Sequence, residues 1–210
     1  DIIITIGGGT PIDTVKVVQL CYSLGINSVD ELKKISNQHQ RIKSKIRQIA
    51  IPTTLSGGEY SIIGGAMDTK IQLKEKYTGD DICPQVVILD PEITVHTPDW
   101  LWLSTAIRSV DHAVEGLCSG STNPLIPPMA LNSIQLFANS LRKTHKNKDD
   151  IISRSMSQKA VWMIAKNLGN TPMGASHGIG YLLGSIGSVP HGYTSCVMLP
   201  AVLKWNESFN

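Results

Sequence analysis

The sequence predicts an α/β domain built on a parallel sheet, joined near Thr97 to an all-helical one. Three observations carry that expectation. Short apolar strands alternate with helices and loops over the first 97 residues, the order that builds a parallel sheet. Beyond Pro98 no β-branched alternating run occurs, and apolar residues recur at helical spacing. Between the first strand and the first helix lie three consecutive glycines, Gly7-Gly8-Gly9.

Ile2 to Ile6 reads as a strand buried on both faces, as strands of a parallel sheet are. Such a strand needs neighbours on each side, so the fold is expected to begin ahead of Asp1. Thr10 is the expected N-cap of the next helix, Pro11 its first residue and Asp13 a first-turn carboxylate suited to the helix dipole. The helix continues from Val15 to Leu24 and stops at Gly25. A short helix over Val29 to Ile35 and a solvated basic connector, Lys43 to Arg47, lead to a second strand, Gln48 to Ile51, ended by Pro52. The polar loop Thr53 to Glu59 follows, and Val86 to Leu89 is the third strand. Helices are then expected over about 98–117, 128–141, 150–168, 173–186 and 193–209.

Of the 210 residues 41% are hydrophobic and 17% charged, which excludes wholesale disorder. No apolar run reaches the ~18 residues of a membrane span, and a formal net charge of +2 excludes an electrostatic grip on nucleic acid as the main business. Cys21, Cys83, Cys118 and Cys196 never approach a CxxC spacing, so free thiols in a reducing, cytoplasmic setting are expected.

A strand, three glycines and a helix present backbone N–H groups to a phosphate. Only glycine lets the backbone come so close, and the helix N-terminus adds about half a positive charge. The alternative is a plain tight turn, which seldom needs three glycines. Hydroxyls of the Thr53–Glu59 loop could serve the same ligand. Of six histidines, His112, His177 and His191 lie on helix or loop termini, two of them beside glycine. Each alone is an ordinary structural residue; together they could converge on zinc or iron. His39, His96 and His145 lie in polar surroundings and are expected at the surface.

The segments IGGGTPID, IPTTLSGGE, ILDPEITVHTP, DHAVEG and SHGIGYLLGSIGSVPHG resemble, in that order, the iron-containing alcohol dehydrogenase superfamily, including its maleylacetate reductase branch. The resemblance extends over nearly the whole chain. It implies a Rossmann-like dinucleotide-binding domain over 1–97, N-terminally incomplete, and a helical substrate and metal domain over 98–210, C-terminally incomplete, with the active site in the cleft between them. It further implies NAD or NADP as coenzyme, held by Gly7, Gly8, Gly9 and Asp13 with Thr53, Thr54 and Ser56. Hydride would pass between that coenzyme and a small alcohol or carbonyl substrate. His112, His177 and His191 match three of four metal ligands. A homodimer is the expected assembly, with no nucleic-acid or membrane partner.

Two departures bear on the metal. The family's fourth ligand is an aspartate one helical turn before the helix histidine, and here that position is Arg108. Asp111 is adjacent to His112 and points about 100° away around the helix, so it does not simply substitute. Tyr181 stands where metal-dependent members commonly carry a further histidine. A guanidinium repels a divalent cation, so the sequence itself argues against iron or zinc. Two readings of Arg108 are open. It either clamps a substrate carboxylate or polarises the carbonyl, as in a metal-independent oxo-acid reductase, or it turns outward and pairs with Asp111. In the first case His177 or another histidine, or Tyr181, is the expected proton donor to the developing alkoxide. An inactive truncated remnant and a metal-dependent hydrolase are the competing expectations.

Overall fold

The structure is a computed structural model, and it describes residues 1–70, 73–120, 123–165, 172–187 and 189–208, the side chain of Leu73 excepted. They form two compact units, Asp1–Thr53 with Gly57–Asp90, and Thr54–Ser56 with Pro91–Asn210.

In chain order the first unit contains β1 (Ile2–Gly7), α1 (Gly9–Leu24), α2 (Val29–Lys34), β2 (His39–Gln40), β3 (Arg47–Pro52), β4 (Ile63–Asp68), β5 (Leu73–Gly79) and β6 (Val86–Val87). One sheet has the order β1-β3-β6, parallel throughout, with Ile2 opposite Arg47 and Gly7 opposite Pro52. The helix α1 packs against β1 and β3 and against β4 of a second sheet, β2-β5-β4. Val17 and Leu20 of α1 close a core with Tyr77 and Ile82. The antiparallel β4–β5 pairing went unpredicted. Its cause is visible in the residues: Gly64-Gly65 weakens one strand, and Lys74-Glu75-Lys76 hides the alternation of the other.

The expectation that β1 is buried on both faces does not hold. Successive side chains point to opposite faces, and Thr5 is buried while Ile2, Ile4 and Ile6 are 63%, 63% and 57% exposed. Nor do Thr10, Pro11 and Asp13 take the expected cap positions. Gly8 is the N-cap, in extended conformation, and no side chain caps it. The helix therefore opens two residues early, at Gly9, and Asp13 falls beyond the first turn. Gly25 ends it in the left-handed conformation, φ 69°, as expected. Arg47, counted with the solvated connector, lies in β3 and pairs with Asp81.

The second unit is helical: α3 (Asp99–Cys118), α4 (Ile126–Lys146), α5 (Ile151–Ala165), α6 (Ala175–Ile186) and α7 (His191–Glu207). Residues 166–168 and 209 of the expected helices lie outside the described residues. The helix α3 packs against all four others. Small residues let α4 and α5 approach closely, with Ser133 Oγ donating to Ala160 O at 2.9 Å and the Ser140 and Ser157 hydroxyls 2.8 Å apart. Buried Arg154 covers the ring of Trp102 at 4.6 Å and donates to Thr94 O at 2.8 Å. These contacts hold α3 as the spine on which the polar residues described below are mounted.

Candidate functional site

In the first unit the glycine turn joins β1 to α1. Gly7 has φ +154°, and a Cβ there would meet Pro11 Cγ at 2.6 Å, so only glycine is tolerated. The first N–H groups of α1 have no intrahelical acceptor, and no side-chain cap occupies them. Thr53 is tied to the same turn, its N–H donating to Gly7 O at 2.9 Å. Asp13 faces away from the dipole role assigned to it: its Oδ2 accepts from Gly65 N at 3.2 Å and its Oδ1 pairs with Lys16 at 3.3 Å. Lys16 is fully buried and donates also to Gly58 O at 2.5 Å and Ile63 O at 2.8 Å. Beside it lies Glu59, 2% exposed, whose Oε2 has no partner among the described residues. Burial raises its carboxyl to about 7, its main-chain hydrogen bond and Lys16 opposing this and Asp13 adding to it.

Thr54 and Ser56, grouped with Thr53 in the sequence, belong to the second unit. Leu55 between them is fixed to α3 through both main-chain groups, its N–H donating to Thr105 Oγ1 at 3.1 Å and its carbonyl accepting from Ser109 Oγ. The hydroxyls of Thr54 and Ser56 are 3.1 Å apart.

On α3 the residues Arg108, Asp111, His112 and Glu115 recur at i, i+3, i+4 and i+7, which places them along one face. All four are buried. Arg108 is turned inward, with Nη1 donating to Ser195 Oγ on α7 at 3.0 Å. Burial lowers its pKa, while Asp111 and Glu115 oppose the shift. The rings of His112 and His177, the latter in the first turn of α6, stack with centroids 4.6 Å apart. His112 is held well below its ordinary pKa by burial, then by His177, Arg108 and His191. It is a neutral imidazole at physiological pH.

Glu115 reaches the end of α6. Its Oε2 lies 2.6 Å from His177 Nδ1 and accepts from Gly174 N at 2.9 Å, and its Oε1 accepts from Ser176 N at 2.8 Å and His177 N at 3.3 Å. Burial pushes this carboxyl up, but the bond and charge of His177 and the main-chain donors outweigh it and leave the pKa lowered. Asp111 Oδ2 accepts from Ser176 Oγ at 2.8 Å and lies 3.3 Å from His177 Nδ1. Among the described residues Asp111 Oδ1, His112 Nδ1 and His177 Nε2 are buried without a hydrogen-bond partner. His191, at the start of α7, and Tyr181, one turn beyond His177, are exposed, Tyr181 by 43%. The structure thus gathers Arg108, His112 and His177, adds Asp111 and Glu115, and leaves His191 and Tyr181 at the rim.

Comparison with known proteins bears on both units. Residues 103–210 match the family model for the Fe-containing alcohol dehydrogenase family, C-terminal, and residues 1–91 the model for iron-containing alcohol dehydrogenase. The chain belongs to the iron-containing alcohol dehydrogenase family. It is 34% identical, over 98% of its length, to dehydrogenase ALT3 of Alternaria alternata, of which it covers 58%. It is 32% identical, over 79% of its length, to maleylacetate reductase of Pseudomonas sp. strain P51, of which it covers 46%. The crystal structure of maleylacetate reductase from Agrobacterium tumefaciens superposes with a TM-score of 0.81 at 26% identity, over 99% of this chain and 53% of that one. The chain spans about half the length of the curated relatives it matches. The Rossmann-like unit followed by a helical one is the fold of this family.

Membership of an iron-containing alcohol dehydrogenase family implies a nicotinamide coenzyme and commonly a metal. The Gly7–Gly9 turn and its uncapped helix fit a diphosphate. The helical unit does not fit an ion. Ligand atoms ~2.0–2.2 Å from one metal lie within ~4.4 Å of each other. Among the described residues the group of donor atoms that comes nearest this, within 4.8 Å of one another, is Asp111, Glu115 and His177, and neither His112 nor His191 belongs to it. Within that group the Glu115 oxygens are taken by main-chain N–H groups and a histidine ring, and Arg108 lies on the same helix face. That group differs from the three-histidine set the resemblance implies by holding two carboxylates and one histidine.

Asp111, set aside in the sequence, and Glu115, passed over there, are the additions. The signal was present in DHAVEG itself: once α3 is a helix, Arg108, Asp111, His112 and Glu115 share one stripe. Glu59 carried no such signal, because its burial comes with the packing of the Gly58–Tyr60 turn against α1.

Proposed function

We propose that the protein is an NAD(P)-dependent reductase that passes hydride between nicotinamide and the carbonyl carbon of a small substrate bearing a carboxylate, without a metal. The observation that carries this reading is the inward, buried Arg108 beside two buried imidazoles with an unpartnered ring nitrogen each. The nicotinamide coenzyme would supply the hydride and its electron pair. Gly7, Gly8 and Gly9 offer main-chain donors to its diphosphate, with Asp13 and Thr53 shaping that turn and the Thr54 and Ser56 hydroxyls offering further donors. Arg108 has five N–H donors, one of which reaches Ser195; the others suit a carboxylate or a carbonyl oxygen gaining charge. His177 Nε2 supplies the proton that converts the alkoxide to the alcohol, the ring ending neutral. His112, neutral, hydrogen-bonds the substrate, and Tyr181 and His191 border the site. The same reading carries a cytoplasmic setting, in keeping with free thiols at Cys21, Cys83, Cys118 and Cys196, and a homodimer. No described helix is long and apolar enough to cross a membrane.

Titration of NADH or NADPH, followed by nicotinamide fluorescence, tests the coenzyme, and no change on addition of protein would end this reading. A substrate scan with and without chelator tests the rest. Arg108→Gln should raise KM for an oxo acid by roughly 10- to 100-fold, as for a hydrogen bond to a charged group of ~1.5–3 kcal/mol, and leave a neutral aldehyde little affected. A stoichiometric iron or zinc required for turnover would refute the role given to Arg108.

A further inference from the structure

We infer that Glu115 is a positioning residue: it locks the His177 ring in the tautomer that carries its hydrogen on Nδ1, so that Nε2 alone faces the reacting oxygen. This rests on the reductase reading for its consequence, but not for its geometry. An ionised carboxylate only accepts hydrogen bonds. With Glu115 Oε2 at 2.6 Å, Nδ1 of His177 must be the donor. Every proton that His177 gives or takes then passes through Nε2, the ring atom left without a partner among the described residues.

The same carboxylate also fixes where the ring stands. Its two oxygens accept the main-chain N–H groups of Gly174, Ser176 and His177, the donors that the opening of α6 cannot satisfy within the helix. No side chain of α6 caps that end. Glu115 provides the cap from α3, so the helix end and the ring are set by one group and cannot drift apart. Gly174 makes the approach possible, since a Cβ there would lie 2.9 Å from Glu115 Oε1. Asp111 Oδ2, 3.3 Å from Nδ1, places a second negative oxygen on the same side of the ring. His112 has no such partner: its Nδ1 is unmatched. Two stacked imidazoles are thereby made unequal.

Glu115→Gln in the intact protein separates the two roles of the carboxylate. The amide oxygen still accepts the Ser176 and His177 N–H groups, its NH2 donates to Nδ1 and drives the ring hydrogen to Nε2, and of the three main-chain bonds only that of Gly174 N–H is lost. The expected result is a kcat lower by at least ~100-fold, the scale of losses when a histidine's orienting carboxylate is altered, with coenzyme binding by NADH fluorescence and KM unchanged. In nitrogen-15 spectra at alkaline pH, with the His177 signals assigned by their loss in His177→Gln, the native protein should show the Nδ1–H pattern and Glu115→Gln the Nε2–H pattern. A native ring protonated on Nε2 overturns the inference, and this holds even where the variant fails to fold. Wild-type kcat in a folded Glu115→Gln protein overturns it as well, and leaves the coenzyme reading standing. Absence of any NADH signal in the native protein ends the reductase reading, and the native ring spectrum still decides the place of Glu115.

Discussion

Each unit buries a basic side chain among carboxylates, and the two differ in what is left over. Around Lys16 three ammonium hydrogens meet Gly58 O, Ile63 O and Asp13 Oδ1. Nothing remains for a ligand, and the cluster ties α1 to the loop and strand that follow β3. Around His177 the carboxylates are engaged, yet Nε2 of His177, Nδ1 of His112 and Oδ1 of Asp111 are not. A buried polar atom without a partner costs roughly 1–3 kcal/mol. A fold that retains three of them in one place is keeping hydrogen-bonding capacity for something else. Burial alone therefore does not mark a site; unmatched capacity gathered within one group of contacting side chains does.

Lys16→Met should give the largest effect. It strands Asp13 Oδ1 and two carbonyls that Lys16 serves, and removing one partner of a buried ion pair costs about 3–5 kcal/mol, with the 19% exposure of Asp13 pulling the value to the lower end. Denaturant unfolding, followed by hydrogen exchange at β3 and β4 amides, would measure it. A loss under about 1 kcal/mol, the worth of a single ordinary hydrogen bond, would break the comparison, because the Lys16 cluster would then not be structural.

Glu59 lies beside the Lys16 cluster with an unmatched oxygen of its own and sharpens the contrast. Its carboxyl is raised to about 7, above the ~4.3 of an unfolded glutamate. Below both values each state holds the proton. Between them the unfolded chain releases it and the folded unit does not, so stability falls as pH rises through that window and levels off above about 7. At about 1.4 kcal/mol per unit the full loss is about 4 kcal/mol. Glu59→Gln removes the penalty: its melting temperature should match the wild type near pH 4 and exceed it near pH 8. Parallel curves would show that Glu59 is ionised in the folded state and partnered.

These two clusters were legible in the sequence to different degrees. Glycine and proline punctuation placed β1, α1, β3 and α3, because Gly25, Pro52 and Pro98 act through local backbone geometry. The β4–β5 hairpin was not legible, since its strands are specified by what they pack on rather than by their own alternation. With it went the partners that β4 gives to Lys16 and Asp13. In the second unit DHAVEG and SHG located His112 and His177, but Asp111 was judged by its angle from His112 instead of its distance from α6. Helix packing decides that distance, and a single helix cannot show it. The Thr53–Ser56 loop shows the same limit: its hydroxyls read as one group, and nothing in the sequence tells that side chains of α3 hold Leu55 by both main-chain groups.

His177→Ala tests the other half of the contrast. Its Nε2 is unmatched and its Nδ1 bond is one of four that Glu115 accepts, so deletion of the ring leaves the cap on α6 in place. The cost in stability should be near that of one hydrogen bond, about 1 kcal/mol. Turnover should fall by roughly 100-fold or more, which is ~2.7 kcal/mol of barrier at about 1.36 kcal/mol per decade. Nicotinamide fluorescence titration of the same variant should report unchanged coenzyme binding, since the Gly7–Gly9 turn is untouched. Paired measurement of melting temperature and kcat thus distinguishes the clusters: Lys16→Met moves stability and His177→Ala moves turnover. Wild-type turnover in His177→Ala, with melting depressed as far as in Lys16→Met, would make the imidazole cluster a second structural knot and remove His177 from the chemistry.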